Sequence, residues 1–145
     1  MRIEEMWTAC GGQGEADAWA FGDAPDELAA LVRSGVKTAT ASAYSLYALE
    51  GEPLPQPGDL SVILDGKGEA VCAIRTTQVR IVPFDQVDPR QAYLEGEGDR
   101  SLSHWRGVHR RFFTREMEAA GLAFTEDMPV VCEEFELVYP VEERK

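Results

Sequence analysis

The sequence predicts an α+β fold in which helices flank a small β-barrel or curved sheet, and three observations predict it. Strand-like and helical segments are interspersed without a regular strand–helix–strand rhythm. A hairpin signal joins two apolar runs, LSVILD (60–65) and AVCAIRTTQVRIVPF (70–84), through GKGE. In the longer run, Cys72 and Ile74 share one face while Val79 and Ile81 share the other. Period-2 alternation forbids this without a bulge, as where a strand turns a barrel corner.

In chain order, Ile3 to Ala9 reads as a short helix followed by a Gly-rich connection. AFGDAPDELAALVRSG is a clearer helix. Asp23 is the expected N-cap, Pro25 suits the first turn, Asp26 and Glu27 suit its positive end, and Gly35 closes it. Leu28, Leu31 and Val32 form its buried stripe. Tyr44 to Leu49 reads as a helical turn, and GEPLPQPGD as a loop. After the connection DQVDPRQAYLEGEGD comes the longest helix, about Ser101 to Ala120, with Leu102, Trp105, Val108, Phe112, Phe113 and Met117 on its apolar face. PVVCEEFELVYP is the last strand, its Phe135, Leu137 and Tyr139 alternating with Glu134 and Glu136.

The 145 residues fit one domain, expected over 1–145. No apolar run is long enough to span a membrane, and MRIEEMWTACGG does not read as a secretory signal, so a cytoplasmic protein is expected. Cys10, Cys72 and Cys132 are too sparse for a disulfide framework or a zinc site, and Cys72 and Cys132 read as buried thiols. His104 and His109 are off the spacing that puts two ligands on one helical face. Neither a metal nor a cofactor is expected.

A net charge of −12 argues against loose binding to nucleic acid. The charge is uneven, however: Arg100 to Arg115 holds five arginines, two histidines and no acidic residue. That strip is either an anion clamp, with Arg100, His104 and Arg111 on phosphate and Tyr44 stacking on a base, or a solvated face paired with the chain's many acids.

Two further segments can carry chemistry. GVKTATAS sets Lys37 among Thr38, Thr40, Ser42 and small residues. If it is extended, Lys37 and Thr40 point to opposite faces; if it turns, they converge, and a lysine base beside a threonine hydroxyl activates a weak nucleophile. The alternative is a cation at the negative end of the preceding helix. EGEGD (95–99) offers Glu97 as a general acid, the acidic trio as a hard-cation site, or Asp99 and Ser101 as caps of the long helix.

Together, GVKTATAS, PGDLSVILDG, AVCAIRTTQVRIVPF, AYLEGEGDRSLSHWR, HRRFFTRE and MPVVCEEFELVY resemble an ASCH-domain protein, over about Trp19 to Tyr139. The resemblance implies a PUA-like small β-barrel of about five or six strands with flanking helices. It also implies a cleft where GVKTAT meets EGEGD, and RNA or a nucleoside as partner. One small bacterial relative is an amidohydrolase of N4-acetylcytidine. By that resemblance Lys37 is the proton acceptor, Thr40 the nucleophile and Glu97 the acid for the leaving amine. Beside this set, Thr38, Ser42, Tyr44, Arg100, His104 and Arg111 are the expected substrate or phosphate contacts. Where that relative has an arginine soon after its threonine, this chain has Ser42. Another relative is associated with ribonuclease activity, so a non-catalytic RNA-binding module and a ribonuclease stand as alternatives.

Overall fold

The computed structural model describes residues 2–140. Its elements are α1 (Ile3–Ala9), β1 (Ala18–Ala20), α2 (Pro25–Arg33), β2 (Ala39–Ala43), α3 (Tyr44–Glu50), β3 (Leu60–Leu64), β4 (Ala70–Pro83), α4 (Pro89–Glu95), α5 (Leu102–Ala119) and β5 (Pro129–Tyr139). The strands form one sheet in the order β1-β3-β4-β5-β2, with β1 parallel to β3 and every other pair antiparallel. The sheet curls into a half-barrel whose free edges are β1 and β2.

β4 causes the curl. Its first half pairs with β3, and nearly its full length pairs with β5. The β4–β5 register shifts at Ala73/Ile74 and again at Thr76/Gln78. These irregularities lie where the apolar alternation changes phase, as the sequence predicts, and each adds twist.

Three apolar clusters hold the helices on the sheet. Phe84, Trp105, Phe113 and Val130 pack under α5, Val32, Ile63, Ile74 and Phe135 under α2, and Met6 with Val62 and Ala73 under α1. Cys72 and Cys132 are buried free thiols. Burial pushes them up to about 11 and about 12, which leaves them protonated and unreactive.

Two expectations are corrected. The N-cap of α2 is Ala24, in left-handed geometry, and not Asp23. Asp23 is instead an exposed partner of Arg115, and Asp26 accepts the Gly66 N–H at 2.7 Å, tying α2 to the β3–β4 turn. The connection before EGEGD also contains a helix, α4. Asp88 caps it by accepting the Gln91 N–H, and Pro89 fits its first position because the missing N–H would have had no helical partner.

Candidate functional site

The site grows from the junction of β2, α4 and α5. Gly35 (φ 82°) ends α2 and turns the chain into the segment that enters β2. The Thr38 N–H then donates to the Leu94 carbonyl, locking that segment to the end of α4. Gly96 lets the two approach. Its φ is 73°, and a Cβ there would lie 2.7 Å from the Val36 carbonyl oxygen. Only glycine fits both conditions.

This packing carries Lys37 inside, 1% exposed, where its Nζ donates to Glu97 Oε2 at 3.1 Å and to Glu95 Oε1 and the Glu95 carbonyl at 3.4 Å. Glu95, also 1% exposed, is the hub. Its Oε2 accepts the Trp105 indole N–H at 2.6 Å and a Gln91 amide N–H at 3.1 Å, and His109 Nε2 lies 3.3 Å from Oε1. Burial alone would raise the Glu95 carboxyl, but Lys37, His109 and the Trp105 donor outweigh it and hold the group at about 2. Burial likewise works against a charged His109, and Glu95 more than offsets this, leaving the ring above its ordinary value. With His109 protonated, two cations face two carboxylates and the cluster is neutral.

Lys37, Thr40, Glu95, Glu97 and His109 line one recess of about 70 Å³. The recess shares Phe21, Gly22, Thr40, Ala41 and Phe112 with a larger cavity of about 490 Å³. The larger cavity is the interior of the half-barrel. All five strands reach it, through Trp19, Thr40, Ser61, Thr76 and Glu133. Thr40 therefore stands at the passage between the two spaces. Its carbonyl accepts a Gln91 N–H, and its hydroxyl has no hydrogen-bond partner among the described residues.

Lys37 precedes β2, so strict alternation does not govern it, and it reaches the recess together with Thr40. The other expected contacts are distributed unevenly. Ser42 lines the large cavity and shares a 2.6 Å hydrogen bond with the Tyr47 hydroxyl. Thr38, Tyr44, Arg100, His104 and Arg111 line neither space. The Thr38 hydroxyl donates to Leu94, and the Arg100 guanidinium stacks 3.7 Å from the Tyr93 ring centre and donates to the Tyr93 carbonyl. Arg110 and Arg115 pair with Glu126 and Asp23. Glu95 was expected only as one of the acidic trio of EGEGD, and His109, Gln91, Tyr47 and Glu133 were not expected at the site. Their signal in the sequence is weak, because burial of a polar group depends on elements that meet only in the folded chain.

Glu95, Glu97 and His109 bring ligand atoms within 4.8 Å of one another, a spacing that a divalent ion can use. Lys37 already contacts both carboxylates and supplies the counter-charge, so an ion there would have to displace its ammonium.

A curled half-barrel with a buried ionic recess opening into its interior defines an α+β domain with a candidate ligand cavity. The chain belongs to the ASCH domain family, whose model matches residues 17–139 and whose PUA-like fold is often linked to RNA binding. Among solved structures it is similar to an ASCH domain from Lactobacillus crispatus JV V101, at 34% identity and a TM-score of 0.85, covering 94% of this chain and 92% of that one. It is also similar to a protein from Enterococcus faecalis V583, at 33% identity and a TM-score of 0.84, covering 99% and 98%. None of the curated proteins matches this chain.

Proposed function

We propose that the protein binds a nucleoside in the half-barrel and hydrolyses an acyl-amide on it, of the N4-acetylcytidine type. One observation carries this reading: the Lys37–Glu97 contact lies in the same recess as an unpartnered Thr40 hydroxyl, at the mouth of a ligand-sized cavity.

The ion pair supplies both the base and the acid. When a ligand closes the recess to water, a neutral amine–carboxylic acid pair competes with the ion pair, so Lys37 passes a proton to Glu97. Neutral Lys37 then takes the Thr40 proton as Oγ1 attacks the acyl carbon. Glu97 returns its proton to the amine as the C–N bond breaks, leaving acyl-Thr40, an ammonium and a carboxylate. In the second half, Glu97 takes a proton from the attacking water and the Lys37 ammonium reprotonates Thr40 Oγ1 as the ester opens. Both groups return to their neutral forms, and the carboxylic acid leaves. We place this activity in the cytoplasm, where the free thiols Cys72 and Cys132 remain reduced.

Hydrolysis of N4-acetylcytidine by the wild type and by Thr40→Val, Lys37→Ala and Glu97→Gln tests the reading. Each substitution is expected to lower kcat by about 10²–10⁴-fold. A second reading, a non-catalytic structural or partner-binding domain in which Lys37 and Glu97 form a buried ion pair, is favoured by the complete burial of Lys37 and its three hydrogen bonds. Under that reading the Lys37 and Glu97 substitutions lower the melting temperature and no nucleoside is turned over.

A further inference from the structure

The larger cavity has a charge pattern that the reaction does not require. Asp17, Glu52, Asp59, Glu116 and Glu133 all line it, and no lysine, arginine or histidine does so among the described residues. Lys37 and His109 lie in the adjoining recess, already committed to Glu95 and Glu97. A phosphate entering the half-barrel would meet carboxylates without a compensating cation, which is the reverse of an anion site.

Glu133 differs from the other four. It is 6% exposed, directly opposite Thr40 in the β2–β5 pairing, and contributes to the cavity wall. Its Oε2 accepts the Thr76 hydroxyl at 2.6 Å. Its Oε1 receives no hydrogen bond among the described residues. Unlike Gln91 Oε1, which is fully buried without a partner, Glu133 Oε1 keeps surface open to the cavity, where a ligand donor can reach it. Trp19 and Phe112 add aromatic surface, which suits a flat ligand.

We propose that the half-barrel cavity selects a flat, phosphate-free ligand that presents hydrogen-bond donors, and that Glu133 Oε1 is the group that reads those donors. This deepens the hydrolase reading and rests on it only for the position of the reacting group, in the adjoining recess. A nucleoside satisfies the requirement through its base and ribose donors, whereas a nucleotide or an RNA strand brings phosphate to the acidic wall. Glu133 is a specificity-determining residue here and takes no part in bond breaking.

Calorimetric titration of the full chain with N4-acetylcytidine and with its 5′-monophosphate tests the proposal without any variant. The nucleoside is expected to bind at least about tenfold tighter, because like charges across a desolvated contact are strongly disfavoured. Glu133→Gln is expected to weaken nucleoside binding by about tenfold. With Thr76 still donating to the amide oxygen, the new NH₂ would face the ligand's donor. A melting temperature close to wild type shows that this variant is folded; if it does not fold, the wild-type comparison decides alone. Equal or tighter binding of the monophosphate overturns the proposal, as does a folded Glu133→Gln protein with wild-type affinity. If the nucleoside binds but is not hydrolysed, the hydrolase reading fails and this one stands. If the nucleoside does not bind, benzamidine is compared with benzamide. A tenfold preference for the donor-rich benzamidine sustains the proposal, and no preference overturns it.

Discussion

Lys37 Nζ meets Glu97 Oε2 at 3.1 Å, although 60 residues separate them in the chain. Glu97 is 21% exposed toward the recess, whereas Lys37 is 1% exposed. One partner therefore remains reachable by a ligand while the other is fixed by the fold. Glu95, the second carboxylate on the same ammonium, is as buried as the lysine. The two glutamates consequently have different work, one in the proposed chemistry and one in holding the site.

Glu95→Ala is expected to destabilise the protein by about 3–5 kcal/mol, because it leaves Lys37 and His109 buried opposite no hub and the Trp105 N–H without its acceptor. Glu97→Gln, at the wetter end, is expected to cost about 1 kcal/mol or less. Urea denaturation of the three proteins measures the difference. Equal losses would mean that Glu95 is not the hub.

Two groups in the cluster give stability a defined pH dependence. Glu95 titrates at about 2 in the folded chain and at about 4.3 when unfolded, so its contribution is complete above the unfolded value and disappears as pH falls toward 2. His109 is raised by Glu95, so its contribution is complete below about 6.5 and is lost as pH rises through the folded value. Glu133, raised by burial, adds a decline with rising pH above about 4.3. Stability should therefore fall as pH climbs past neutrality, and His109→Gln should flatten that slope. Melting temperatures recorded across pH check both statements.

The fold was more legible in the sequence than the site. Cys72, Ile74, Val79 and Ile81 announce the bend in β4 because alternation is a local property of one strand. Asp88 and Pro89 carried the start signal of α4, but the seven-residue helix is too short for its apolar pattern to stand out from a connection. Lys37 and Glu97 could be singled out by family motif. The burial of Glu95 and its contact with His109 could not, since a buried charge is indistinguishable from a solvated one until β2, α4 and α5 converge. The two readings of the arginine strip could not be separated in the sequence for the same reason: the partners that Arg115, Arg110 and Arg100 take, Asp23, Glu126 and the Tyr93 carbonyl, come from other segments.

Gly96→Ala is expected to disturb the site from outside it. The added Cβ meets the Val36 carbonyl, and the φ of 73° is unfavourable for alanine, so a loss of about 1–3 kcal/mol is expected. Because the clash lies one residue from both Lys37 and Glu97, kcat should fall further than the fraction of folded protein. A kcat that tracks the folded fraction alone would show that Gly96 supports the fold without aligning the site.

In the proposed reaction Thr40, prepared by Lys37 and Glu97, attacks the acyl carbon. Acid quenching of the enzyme during turnover of N4-acetylcytidine, followed by peptide mass spectrometry, tests it most directly. An acetyl group is expected on Thr40 and absent from Thr40→Val. Wild-type turnover by Thr40→Val, or rapid product formation with Thr40 never acetylated, would contradict it.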